Sequence, residues 1–196
     1  MILAIIIMVI LLVFGILRNR ARKTEENEIK QFWEREDHAN STRKQDISQL
    51  DYIVIPLDKL PMEESNDRDI TSYQNTIKSL SEQKILNLTG ISNTDLKLQY
   101  GAGNLEILSL CDQCYTSLVR TLSNWGEKLI ELGDTAAAQT VLEYGIEIGT
   151  DVSQNYKLLA TIYKDACPER IEELIDKASN LNSLTKTSII NALQAL

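Results

Sequence analysis

The sequence predicts an all-α protein: a single N-terminal transmembrane helix, then a helical body, with one short extended segment between them. Three observations carry this expectation. Residues 1–17, MILAIIIMVILLVFGIL, contain no charged or polar side chain. From Asn104 onward apolar residues recur every three or four positions, the period of an amphipathic helix. Residues that favour strands cluster in one place only, Tyr52, Ile53, Val54 and Ile55, so there is no second run for them to pair with.

The first element is read as a membrane anchor. Seventeen helical residues rise roughly 25 Å, close to the thickness of a bilayer core. The flank that follows, RNRARK, holds Arg18, Arg20, Arg22 and Lys23, and no side-chain charge precedes the apolar run. That order lacks the basic leader and small-residue cleavage site of a signal peptide. By the positive-inside rule it predicts a single-pass protein with its N-terminus outside and its body in the cytoplasm, touching lipid through residues 1–23. The rest of the chain carries 16 basic and 28 acidic side chains, a net −12. An acidic body argues against nucleic-acid binding, which needs clustered Lys and Arg. Three cysteines, Cys111, Cys114 and Cys167, suit a reducing compartment better than a disulfide framework.

Residues 18–45 are dense in charge and read as a solvated juxtamembrane helix fraying near Asn40-Ser41-Thr42, interrupted by Ile29, Phe32 and Trp33, of which Phe32 and Trp33 are candidates to dock on the body or on a neighbour. Residues 46–104 form a mixed middle region. Within it LDYIVIPLDKLP, residues 50–61, is extended, because Pro56 and Pro61 forbid a helix through it. A helix follows near residues 70–84, with Ile70, Tyr73, Ile77 and Leu80 on one stripe and Asp69 as its cap. SNTDLKLQYG then reads as a short capped helix closed by Gly101.

The region 105–196 carries the clearest pattern. Cys111, Cys114, Tyr115, Leu118, Leu122, Trp125, Leu129 and Leu132 form one long apolar face, which Gly133 ends. Asp134 caps a second helix that buries Ala138, Val141, Leu142, Gly145 and Ile148, with Gly149 beyond its end. Asp151 and Gln154 have the spacing of a capping box for a third helix, Pro168 and Glu169 open a fourth, and residues 185–196 form the last.

In residues 119–152, Leu122, Trp125, Gly126 and Leu129, then Ala138, Leu142 and Gly145, fit the 34-residue pattern W-x2-L-G-x2-Y followed by A-x3-F. A shift of 34 begins a second unit at Ser153, where Tyr156, Leu159, Ala160 and Tyr163 match. Its second helix aligns through Ile171, Ile175 and Ala178 only after one deletion, and Thr150 stands where a proline usually closes the first unit. Over residues 119–185 the chain thus resembles the tetratricopeptide repeat (TPR) family, with one good and one degenerate unit. The resemblance implies TPR-like helix hairpins and a groove, made by the first helix of each unit, that holds a protein or peptide partner. Carried over by position, that groove presents Arg120, Ser123, Glu127, Ile130, Gln154, Lys157, Thr161 and Lys164. The paired Lys and Asn residues of carboxylate-clamp members are matched only by Lys157. Segment 50–61 is a candidate to fill the groove itself.

No catalytic constellation emerges. Cys111-x-x-Cys114 falls inside a helix on its apolar face, where core packing explains it better than redox or zinc chemistry. GAGNLE, residues 101–106, has two glycines of a dinucleotide fingerprint but Glu106 at the third position and no preceding strand. His38 is the only histidine and sits among charges. The sequence therefore reads as a membrane-anchored adaptor or assembly subunit without catalytic, cofactor-binding or metal-binding residues. A self-associating structural protein is the alternative.

Overall fold

A computed structural model describes residues 2–195, excluding the side chains of residues 2–7, 9–13 and 165. Its α-helices are α1 (Ile2–Ser41), α2 (Arg68–Ser81), α3 (Asn93–Tyr100), α4 (Leu105–Glu131), α5 (Thr135–Glu147), α6 (Ser153–Ala166), α7 (Arg170–Ser179) and α8 (Lys186–Gln194). A 3-10 turn spans Ala102–Asn104, and the described residues contain no strand. The chain divides into two compact units: Met1–Asp46 with Ser92–Leu105, and Ile47–Ile91 with Glu106–Leu196.

The membrane anchor is corrected. Among the described residues no helix is long and apolar enough to cross a membrane. Most side chains of the apolar run, those at 1–7 and 9–13, lie outside the described residues. What is described is a helix running unbroken through Ser41, whose apolar stretch stops at Arg18 and gives way to charge. The expected single-pass topology and the membrane-and-cytoplasm localisation lose their support with it.

In the first unit, Arg22–Glu26 and Lys30–Glu34 pair along α1 at 3.3 and 3.7 Å, each worth only a few tenths of a kcal/mol. The helix ends where the Ser41 and Thr42 hydroxyls donate to the His38 carbonyl, at 2.8 and 3.0 Å. α3 packs against this end. Ser92 Oγ accepts from the Asp95 amide to cap α3, Arg35 pairs with Asp95, and Lys97 pairs with Glu36. Lys97 also donates to Asn40 at 2.8 Å. Asn104 Nδ2 donates to the Tyr100 and Gln45 carbonyls, so GAGN is a structural turn before α4.

In the second unit a continuous apolar core gathers α2, α4, α5, α6, α7 and α8 around fully buried Trp125, Leu118, Leu122, Leu142, Tyr156 and Leu159. Tyr115 ties distant parts of the chain together. Its hydroxyl accepts from Asn87 Nδ2 at 2.9 Å and donates to the Gly149 carbonyl at 2.8 Å. Segment 50–61 is only partly extended: residues 51–56 lack regular structure, while 57–59 form a turn in which the Lys59 amide donates to the Pro56 carbonyl, and the segment forms no ladder, Ile53 donating a single backbone hydrogen bond to Ile85. Ile55 and Leu60 enter the core, and buried Gln74 donates to the Pro61 and Glu63 carbonyls. The segment is thus packed on its own body.

Two caps differ from expectation. Asp67, not Asp69, caps α2, accepting from the amides of Asp69 and Ile70 at 2.9 and 3.2 Å. α6 has no side-chain cap, because Asp151 is drawn to Ser183 Oγ at 2.6 Å and its carbonyl accepts from Thr185. Asp134 caps α5 as expected, accepting from the Ala137 amide.

Two glycines set the helix spacing in this unit. A Cβ at Gly126 would lie 2.5 Å from the fully buried Leu142 side chain. One at Gly145 would lie 2.8 Å from Asn155 Oδ1. Gly126→Val therefore overpacks the α4–α5 contact and should cost about 1–3 kcal/mol, read as a lowered Tm in thermal denaturation. Gly103→Ala, where the added carbon meets only ordinary contacts beyond 3.4 Å, should leave Tm nearly unchanged.

Candidate protein-interaction surface

The eight residues that the repeat pattern selects fall on two helices at matching intervals. Arg120, Ser123, Glu127 and Ile130 belong to α4, and Gln154, Lys157, Thr161 and Lys164 to α6. Each set steps by three, four and three positions, which places it on one stripe of its helix. The stripes adjoin, because Gln154 Nε2 donates to Glu127 Oε1 at 3.2 Å. Arg120, Gln154, Lys157, Thr161 and Lys164 are exposed, Glu127 and Ile130 are half-buried, and Ile130 packs on the core. Ser123 is only 2% exposed and is not available to a partner. The Thr161 hydroxyl is turned to the Lys157 carbonyl at 2.9 Å. What remains open to a ligand is mainly cationic: Arg120 and Lys157, on a chain whose net charge is −8.

Segment 50–61 lies elsewhere. Pro56, Lys59 and Leu60 line a shallow cleft with Thr140, Glu143, Tyr144 and Glu147 of α5, which contains none of the eight residues. The Tyr144 hydroxyl also reaches the Val54 carbonyl at 3.5 Å. The segment packs beside the second helix of the hairpin, and the idea that it blocks a first-helix groove gains no support.

The sequence reading missed a polar cluster where α5, α6 and α7 meet. Glu143 Oε1 accepts from Gln139 Nε2, Tyr163 OH and an Arg170 terminal nitrogen, each at 2.7 Å. The Arg170 guanidinium lies 4.3 Å from the Tyr163 ring centroid and pairs with Glu173 at 3.5 Å. Burial pushes the Glu143 carboxyl up, but the three donors outweigh it and hold the group below its ordinary range. Burial and the bond to Glu143 push the Tyr163 phenol well up, so it stays protonated and donating. A cleft of about 170 Å³ adjoins the cluster, floored by Ile146, Leu159 and Leu174. That is smaller than the roughly 300 Å³ at which ligand pockets begin. A sequence signal existed: Glu143 is the only charge in AAAQTVLEYGI, residues 136–146. Its partners stand 20 and 27 positions away, and only the packed helices bring them together.

The cysteines remain thiols, with Cys111 buried and Cys114 partly so. Burial raises the Cys111 thiol above its usual range, the opposite of an activated nucleophile. Among the described residues no group of three His, Cys, Asp or Glu is placed to hold a metal ion. No protein-family model matches this chain, and no curated protein and no solved structure matches it significantly.

Glu143→Gln should destabilise the protein by about 1–2 kcal/mol at pH 7, a figure discounted because Glu143 and Arg170 are each about one-third exposed. The folded-state carboxyl is held below its unfolded value, so its contribution is complete above the ordinary carboxylate range and fades as pH falls through the folded value. The difference in Tm between the wild-type and Gln proteins should therefore close as pH is lowered from neutral through and below the ordinary carboxylate range.

Proposed function

We propose that residues 105–196 are a TPR-like protein-interaction module that holds an acidic, extended peptide across α4 and α6. The observation that carries this reading is the Gln154–Glu127 hydrogen bond, which makes one surface of two exposed helix stripes. The bond also satisfies the only acidic residue among the eight, leaving Arg120 and Lys157 to meet a ligand. Those cations stand on an acidic chain, so they select for negative charge in the ligand while the rest of the surface repels it. The packing at Gly126 and Gly145 suits the same reading, since small residues at these positions are part of the repeat pattern. No residue is assigned a catalytic role.

Panning the full chain against a peptide library should enrich acidic peptides. In fluorescence anisotropy with such a peptide, Arg120→Glu combined with Lys157→Glu should weaken binding by about tenfold or more. Glu147→Lys, on the exposed side of α5, should not. Rising ionic strength should weaken the wild-type complex. Enrichment of basic or purely apolar peptides, or equal affinity in the double variant, would overturn the proposal.

A further inference from the structure

The most exposed apolar side chains of the first unit lie on α1. Phe14 is 63% exposed, Ile29 51%, Phe32 55% and Trp33 58%, and the last two rings meet edge-on at 5.4 Å. Single exposed apolar residues need no explanation, but aromatic residues gathered on one long helix do. α3 engages α1 at Arg35, Glu36 and Asn40, beyond the last of these residues.

We infer that α1 pairs antiparallel with α1 of a second copy of this chain, over residues 14–32. The order of chemistry along the helix argues for that occupant. Phe14, Ile16 and Leu17 are apolar, then Arg18, Arg20, Arg22 and Lys23 are basic, then Glu25, Glu26 and Glu28 are acidic, then Ile29, Phe32 and Trp33 are apolar again. Read backward, the apolar ends coincide and the two charge blocks exchange. An antiparallel copy thus sets apolar on apolar and cation on anion, whereas a parallel copy in register sets cation on cation.

The helical turn brings the right residues to one face. At roughly 100° per residue, Phe14, Arg18, Ala21, Glu25, Ile29 and Phe32 fall within a stripe about 80° wide. With Phe14 opposite Phe32 of the second copy, Ala21 lies opposite Glu25. Each Glu25 then sits across the seam between Arg18 and Arg22. Among the described residues Arg18 and Glu25 enter no ion pair within the chain, so both are available for this contact. The contact is two-fold symmetric and closes on itself, giving a dimer and no larger assembly.

Analytical ultracentrifugation of the full chain over a range of concentrations tests the pairing, with circular dichroism to confirm that each variant keeps its helix. The wild-type chain should reach a dimer. Arg18→Glu with Arg22→Glu should weaken dimerisation by about tenfold or more, and adding Glu25→Arg to the same chain should restore it. A photo-crosslinker placed at Phe14 should capture the peptide containing Phe32 of the second copy. A chain that stays monomeric overturns the inference. So does cross-linking of position 14 to itself, a triple variant that fails to recover, or α1 binding zwitterionic vesicles without pairing.

Discussion

The second unit depends on how closely α5 can lie between its neighbours. Gly126 admits the side chain of Leu142 from one side, and Gly145 admits Asn155 from the other. Asn155 Nδ2 then donates to the Leu142 carbonyl at 2.9 Å, locking α6 to α5 at the same level. With α5 seated at that depth, Trp125, Leu142, Tyr156 and Leu159 close on one another without exposure. The same seating determines which residues of α5 point away from α4. Tyr144 meets the extended segment, and Glu143 meets Tyr163 and Arg170. A bulkier residue at either glycine would shift all of these contacts together, because packed interiors have no slack to absorb a methyl group locally.

Charge is arranged around this packing with two separate outcomes. Some cations are spent inside the fold. Lys128 bridges Asp67 and Asp69 at the start of α2, Arg170 is held by Glu143 and Glu173, and Lys97 is held by Glu36. These pairs orient helices relative to one another within a unit. Partly exposed ion pairs contribute modestly to stability, so their value lies more in register than in energy. Arg120 and Lys157, in contrast, point outward on adjoining stripes, and an acidic chain concentrates the effect of those few positive groups on any approaching anion. The chain's fold and its proposed binding face therefore draw on different members of the same charge population.

Much of the helical organisation was legible in advance, and the reasons are local. The face from Cys111 to Leu129, the Asp134 cap and the glycines at 101, 133 and 149 are each decided within a few residues. The structure gives those glycines φ values of 88°, 82° and 77°, where a side chain would be strained. The prolines at 56 and 61 likewise exclude a helix through this segment, whatever it packs against. Ser123 was misjudged because helical spacing assigns a stripe but not the depth at which that stripe is covered. Asp151 was misjudged because a capping box competes with whatever else reaches the carboxylate, here Ser183 from 32 positions away. The apolar start and its basic flank suggest a membrane span, but among the described residues no helix is long and apolar enough to cross a membrane, and α1 turns to charge at Arg18.

By itself, then, the sequence determined the all-helical body, where most helices begin and end, and which faces are apolar, since these follow from backbone preference and periodicity over short windows. It also determined that acidic side chains outnumber basic ones, 28 to 20. Only the tertiary structure decided that segment 50–61 lies beside α5, that Glu143, Tyr163 and Arg170 form one cluster, and that the stripes of α4 and α6 adjoin. Those contacts join residues 20 to 90 positions apart, and no local preference encodes them. They depend on the depth at which α5 packs, which the whole core fixes at once.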